Sequence, residues 1–91
     1  MGIAEGIETA LAAGKLFGIP TWSVICANGI RGFEPPPECR RLIVFADHDQ
    51  HGVGQRAAQE LARRLTGIAV EIQLPDQVGT DWNDVLLERG R

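Results

Sequence analysis

The apolar run from Leu42 to Ala46, with the polar residues that follow it, constrains the fold of this chain more than any other feature. The run does not alternate between apolar and polar positions, which is typical of a strand covered on both faces in a parallel sheet. Asp47 and Asp49 come next at a spacing of two, so we expect their side chains to point the same way while His48 points elsewhere. Oxygen ligands of this kind suit Mg²⁺ or Mn²⁺, which would also relieve the repulsion between the two carboxylates. The alternative is an ordinary strand-to-helix turn with N-capping aspartates.

Two glycines, Gly52 and Gly54, separate these acids from the strongest helical pattern in the chain. They would let the backbone turn sharply and approach a ligand before the helix begins. Apolar residues then recur at four-residue steps over residues 53–65. On the opposite face Arg56, Glu60 and Arg64 form a charge ladder, which we expect to be solvated and paired along the helix itself.

The rest of the chain alternates between strand and helix patterns. Periodicity predicts a first helix from residue 6 to residue 17 and a last one over residues 82–88, with Trp82, Val85 and Leu86 buried. Strands are predicted at 2–5, 21–26 and 68–74, the last at a sheet edge. Residues 27–29 favour a turn, and residues 30–39, which include three consecutive prolines, favour a surface loop with room for one helical turn. This order predicts an α/β domain with a parallel sheet of about four strands.

Length and charge narrow the class of protein. The chain has 91 residues, enough for one small domain near the lower limit for a self-sufficient core. It contains no 18-residue apolar run and no charged-then-apolar leader, so we expect a cytoplasmic protein without membrane contact. The net charge of −3 argues against a free-standing, sequence-independent nucleic-acid binder. It is compatible with a catalytic domain whose acids are neutralised by metal and whose DNA contacts come mostly from neighbouring domains.

Four blocks of sequence resemble Toprim domains, the module shared by primases, topoisomerases, OLD-family nucleases and RecR-type repair proteins. They lie in order at residues 5–12, 27–29, 45–58 and 81–86. Toprim motifs are a glutamate and glycine after the first strand and an Asp-x-Asp after a later one, here Glu5-Gly6 and Asp47-His48-Asp49. The amino-acid sequences of the four blocks are similar to those in the Toprim part of primases and primase-helicases carried by phages, plasmids and integrated elements.

The resemblance implies a small Rossmann-like, three-layer Toprim fold over residues 1–91, with the first strand clipped, as a fragment of a longer primase or primase-helicase. It implies a metal-binding catalytic domain that uses Mg²⁺ or Mn²⁺ in nucleotidyl transfer to make primers on single-stranded DNA. Glu5 would be a general base or metal-positioning carboxylate, and Asp47 and Asp49 would hold the metal. Template and nucleotides would bind through adjoining domains, and a helicase domain is a possible neighbour. We expect the isolated domain to be inactive, and either marginally stable or paired as a homodimer.

Further residues are candidates for accessory roles. Asp81 and Asp84 resemble the Asp-x-Asn-Asp block of these primases, although an N-cap at Asp81 and a helix-start acid at Asp84 explain them equally well. Glu8 lies one turn after Glu5 and faces either the site or the solvent. Many replicative primases place a second acid where this chain has Thr9. Candidates for phosphate or DNA contacts are Arg31, Arg40, Arg41, Gly52 and Gly54.

Two other functions stay open at this point. The same acids would support phosphodiester cleavage in a nuclease or topoisomerase, but a topoisomerase needs a catalytic tyrosine and the chain contains none. A RecR-like module would use the fold for DNA-repair assembly without catalysis. The intact set of Glu5, Asp47 and Asp49 weighs against that last function.

Overall fold

In the computed structural model, which describes residues 1–48 and 51–89, strands and helices alternate along the chain. The elements are β1 (Gly2–Ala4), α1 (Ile7–Phe17), β2 (Thr21–Ser23), α2 (Ala27–Arg31), β3 (Arg41–Phe45), α3 (Val53–Arg64), β4 (Ala69–Gln73) and α4 (Trp82–Arg89). The strands form one parallel sheet in the order β2-β1-β3-β4. This confirms the predicted α/β domain and places the short β1 inside the sheet. None of the helices in the described part of the chain is long and apolar enough to cross a membrane.

Helices cover both faces of the sheet, which gives the molecule three layers. Because successive strand residues point to opposite faces, β3 sends Leu42 and Val44 into a core with α2 and α3. It sends Ile43 and Phe45 into a second core with α1 and α4. None of these four side chains is more than 8% exposed. The absence of alternation in the sequence therefore reflects a strand that is buried on both sides.

Three aromatic rings join α1, β3 and α4 on the second face. The centroids of Phe17 and Phe45 are 4.8 Å apart. Trp82 packs edge-on against both rings, at 5.3 Å from Phe17 and 5.8 Å from Phe45. Trp82 is buried as predicted, whereas Val85 and Leu86 are only partly buried against the same cluster. This packing fixes the start of α4 against the sheet.

The segment between β2 and β3 differs from the prediction. β2 ends at Ser23, three residues early, and Ala27–Arg31 form a short helix, where the prediction was a turn followed by a surface loop with room for one helical turn. Gly29 lies within that helix, and a Cβ on it would be 2.0 Å from the carbonyl oxygen of Val24. Ile30 is fully buried in the first core. The glycine thus serves the close approach of two backbone segments, not a positive φ.

The charged face of α3 pairs with the preceding segment, so the predicted pairing along the helix is wrong. Arg64 donates hydrogen bonds to the carbonyl oxygens of Arg31 and Phe33 and to the carboxylate of Glu34. Glu60 forms an ion pair with Arg31. These contacts fasten the segment after α2 onto α3.

Candidate metal centre

Glu5 and Asp47 lie at the carboxyl edge of the sheet, as the sequence predicted. Glu5 directly follows β1, and Asp47 lies two residues beyond the end of β3. In the register of this strand pair Ala4 lies beside Phe45, so the chain leaves both strands at the same level. Parallel α/β sheets bind their ligands at this edge. Asp49, the third expected ligand, lies outside the described residues.

The backbone around Glu5 leaves space on one side. The hydroxyl of Ser23, at the end of β2, donates a hydrogen bond to the carbonyl oxygen of Glu5 at 3.1 Å. Gly6 is the N-cap of α1 with φ −99°, a conformation open to any residue. A Cβ on Gly6 would meet only the hydroxyl oxygen of Thr9, at 3.9 Å. The fold itself does not require glycine at this position, and the backbone of Gly6 is open on the side where a Cβ would lie.

The glycines after Asp47 bring α3 close behind it. Gly52 is the N-cap of α3 with φ 68°, the sharp left-handed turn that the sequence predicted. Gly54 is buried in the first turn of the helix. A Cβ on it would lie 3.8 Å from the Cβ of Ala46 and 4.0 Å from the amide nitrogen of Asp47. The start of α3 therefore packs directly on the backbone that carries Asp47.

Asp47 shares a shallow depression of about 190 Å³ with the segment before α4. Its lining residues are Asp47, His48, Gly79, Thr80 and Asp81. Asp81 also borders a second depression, of about 380 Å³, which contains Gly6 and Glu8. Asp81 therefore lies between the Glu5-Gly6 turn and Asp47, and the structure brings this accessory candidate to the site.

Asp81 and Asp84 cap the start of α4. The amide of Asp84 donates to Oδ1 of Asp81 at 2.8 Å, and the amide of Asp81 donates to Oδ2 of Asp84 at 3.1 Å. This reciprocal pair is a capping box, with aspartate in place of the usual glutamate. Asp84 lines a different depression, with Asp76 and Glu88, and does not join Asp47. The capping interpretation is confirmed for both residues, and only Asp81 also faces the site.

His48 holds the segment 75–80, here termed the strap, against the end of β3. Its amide donates to the carbonyl oxygen of Thr80 at 3.1 Å, and the amide of Gly79 donates back to the carbonyl oxygen of His48. Its Nδ1 atom is 2.7 Å from the carbonyl oxygen of Pro75. The alternation of side chains along an extended segment predicts only that His48 points away from the acids. The sequence offered one indication of this contact, the turn residue Gly79, whose φ is 86°. A glycine predicts a turn, but it does not predict which distant residue the turn will contact.

The arginines predicted to contact phosphate lie away from this edge or are paired. Arg41 begins β3, so six residues of nearly extended chain, about 20 Å, separate it from Asp47. Arg40 precedes it at the same amino end. Arg31 is bound to Glu60 on α3. The structure therefore does not bring these three side chains to the candidate metal centre.

Arg41, at the start of β3, instead forms an ion pair with the neighbouring strand β4. Its guanidinium is 3.0 Å from the carboxylate of Glu71 on β4. The side-chain amide of Gln73 donates a second hydrogen bond to that carboxylate at 2.7 Å. The hydrogen bond from Gln73, followed by the one from Arg41, lowers the pKa of Glu71 below its ordinary range. This pair links β3 to the edge strand β4.

The donors at the carboxyl edge fit a hard divalent cation. Glu5, Asp47 and Asp81 offer carboxylate oxygens, the ligands that Mg²⁺ and Mn²⁺ prefer. Mg²⁺ keeps several waters and needs only one or two protein carboxylates. Within residues 1–48 and 51–89 no three Asp, Glu, His or Cys side chains are gathered closely enough to form a complete metal cage.

Comparison with known proteins gave a match to a protein family. A family model described as Toprim domain matches residues 1–91. No curated protein and no solved structure matches the chain. The matched range contains both sequence motifs, Glu5-Gly6 and Asp47-His48-Asp49.

Proposed function

Because the chain belongs to the Toprim family, we propose that it is the metal-binding catalytic domain of a DNA primase, which makes primers on single-stranded DNA. The observation that carries the proposal is the placement of Glu5 and Asp47 at the same edge of the sheet, one and two residues beyond the ends of two paired parallel strands. The primase assignment within the family is supported by the similarity of the four sequence blocks to primases of phages and plasmids.

The residues at the carboxyl edge would have different roles in nucleotidyl transfer. Asp47 and Asp49 would hold Mg²⁺ or Mn²⁺, with Asp81 as an accessory carboxylate across the depression. A cation held there would stabilise the charge that develops on the phosphate and would orient the attacking 3′-hydroxyl. Glu5 would accept the proton of that hydroxyl or fix the position of the cation, and Gly6 leaves room for the substrate beside it.

Template and nucleotides would be held mostly by adjoining domains. The chain has a net charge of −3, and a surface that grips the DNA backbone is normally basic. Three of its arginines, Arg31, Arg41 and Arg64, are already engaged in ion pairs with carboxylates. We therefore infer that this domain contributes the metal-dependent chemistry and little of the affinity for DNA.

The metal site is tested by titrating the protein with Mg²⁺ and Mn²⁺ while amide signals are followed by NMR. Signals near Glu5 and Asp47 should shift with Mg²⁺ and broaden with Mn²⁺, and Asp47→Asn should abolish the response. Glu38→Gln is the matched control, because Glu38 is an exposed acid before β3, at the amino end of the sheet. An unchanged response in Asp47→Asn would refute the proposed centre.

The reaction is tested in the natural full-length protein, with and without the Asp47→Asn change. Primer synthesis on single-stranded DNA that depends on Asp47 supports the primase assignment. Metal-dependent cleavage of the DNA without synthesis would assign the same acids to nuclease chemistry. A folded protein that neither binds metal nor acts on DNA would point to a RecR-like assembly module.

A further inference from the structure

The strap connects the edge strand β4 to the start of α4 and crosses the carboxyl end of β3 on its way. It is tied there at both of its ends to a single residue. The backbone of His48 pairs with Gly79 and Thr80, and its ring reaches Pro75 at the other end of the strap. That residue is also the one between Asp47 and Asp49 in the sequence.

The partner of the His48 ring decides which atom carries the proton. A backbone carbonyl oxygen can only accept a hydrogen bond, so Nδ1 is the donor in the 2.7 Å contact with Pro75. The side-chain nitrogen of asparagine occupies the same position relative to the backbone as Nδ1 of histidine. The amide of glutamine, by contrast, lies one bond further out, where histidine has Nε2. Asparagine can therefore replace this contact, whereas glutamine and alanine cannot.

The residues before and after Asp81 in the chain are both anchored to the rest of the fold. Trp82, the next residue, packs on Phe45 and anchors α4 to the face of the sheet. Thr80, the previous residue, is bridged to His48 and anchors the chain to the carboxyl edge. The capping box fixes Asp81 relative to α4, while its position relative to Asp47 depends on the strap.

We propose that His48 is a positioning residue, whose ring anchors the strap so that Asp81 faces Asp47 across their shared depression. The inference rests on the proposed metal-binding function, to which it adds a residue that acts through Asp81. Residues that orient the groups around a metal typically change its affinity about 10–100-fold when they are removed.

The first test compares Mn²⁺ affinity, measured by isothermal titration, in three variants of His48. His48→Ala and His48→Gln should weaken binding about tenfold or more. His48→Asn should bind like the wild type, because it restores the donor to Pro75. Wild-type affinity in the alanine variant, or an equal loss in the asparagine variant, would overturn the proposal.

A double-mutant cycle separates positioning from general destabilisation. If His48 acts through Asp81, then His48→Ala should cost no further affinity in a protein that already carries Asp81→Asn. A merely structural role would lower affinity by the same factor in both backgrounds. Additive losses would therefore refute the inference even if each single variant binds weakly.

Hydrogen exchange of the Gly79 amide tests the anchor without any metal. This amide bonds to the backbone of His48, so it should exchange several-fold faster in the alanine and glutamine variants and at the wild-type rate in His48→Asn. Equal rates in all four proteins would overturn the anchoring role. If the wild type binds no Mn²⁺, the proposed function fails, and these rates still decide whether His48 holds the strap.

Discussion

Replacing Gly29 by alanine should destabilise this protein, although the same change stabilises most helices. Alanine is better than glycine in a helix interior by about 0.5–1 kcal/mol, and Gly29 lies inside α2. However, the added Cβ would be 2.0 Å from the carbonyl oxygen of Val24 and 3.0 Å from its carbonyl carbon. Both are main-chain atoms, so a side-chain rotation cannot relieve the overlap and the end of β2 or the helix must move.

The expected loss follows from two opposing contributions to the free energy of unfolding. Forcing an extra methyl group into packed structure costs about 1–3 kcal/mol, and a contact this short belongs at the upper end of that range. Subtracting the gain in helix propensity of about 1 kcal/mol leaves a net loss of about 2 kcal/mol. In a domain of this size 1 kcal/mol corresponds to about 4–8 °C, so the Tm should fall by roughly 8–16 °C.

Thermal and urea unfolding followed by circular dichroism would measure this loss. Gly32→Ala is the matched control, because Gly32 ends the same helix with φ −92° and its nearest contact would be the carbonyl oxygen of Asn28 at 3.5 Å. That variant should stay within about 0.5 kcal/mol of the wild type. An unchanged or higher Tm for Gly29→Ala would refute the close approach of α2 to the end of β2.

Three further predictions concern the packing and charges away from the metal centre. Trp82→Ala should cost about 3–5 kcal/mol. Trp82→Phe should cost clearly less, because within the described residues the buried indole nitrogen has no hydrogen-bond partner and the phenyl ring keeps the aromatic packing; equal losses in urea unfolding would contradict this. Arg64→Met should lower stability by about 1–2 kcal/mol and speed proteolysis after α2, since it removes bonds to main-chain carbonyls. Glu34→Gln should change stability by less than about 0.5 kcal/mol, because it removes only an exposed ion pair, and similar proteolysis rates in these two variants would argue against the role of Arg64. Glu71→Gln should be less stable than the wild type at neutral pH and equal to it in acid. The pKa of Glu71 is lower in the folded protein than in the unfolded chain. The stabilisation by the Glu71 carboxylate is therefore complete above its pKa in the unfolded chain, and it is lost as the pH falls through its pKa in the folded protein. A difference in stability that persists in acid would contradict this.

The strands and helices that carry the motifs could be predicted because their signals are local. A run such as Leu42 to Ala46 has no polar face, so it must be covered on both sides, and alternation of strands with helices leaves few topologies. Glu5 and Asp47 follow their strands in the chain. Parallel pairing therefore places both at the same edge before any contact is known.

The start of the segment between β2 and β3 was mispredicted because the pair Asn28-Gly29 is typical of a turn, although a glycine can have another structural role. Glycine suits a positive φ and equally suits a close approach between backbones. Only the second applies here, since the missing Cβ would meet Val24. The pairing of Arg64 with Phe33 and Glu34 was missed for a similar reason: helix periodicity shows which face is charged, but not which distant segment lies against it.

The α/β order, the burial of β3 on both faces and the edge at which Glu5 and Asp47 leave the sheet could all be predicted before any contact was known, because each depends on residue period and chain direction. The residues that come together across that edge depend instead on how whole elements pack. Pro75 in the strap contacts His48, which lies 27 residues earlier in the chain. Asp81 lines the same depression as Asp47 because α4 packs on α1 and Phe45. Contacts between segments so far apart depend on the packing of whole elements, and no local pattern in the chain encodes them.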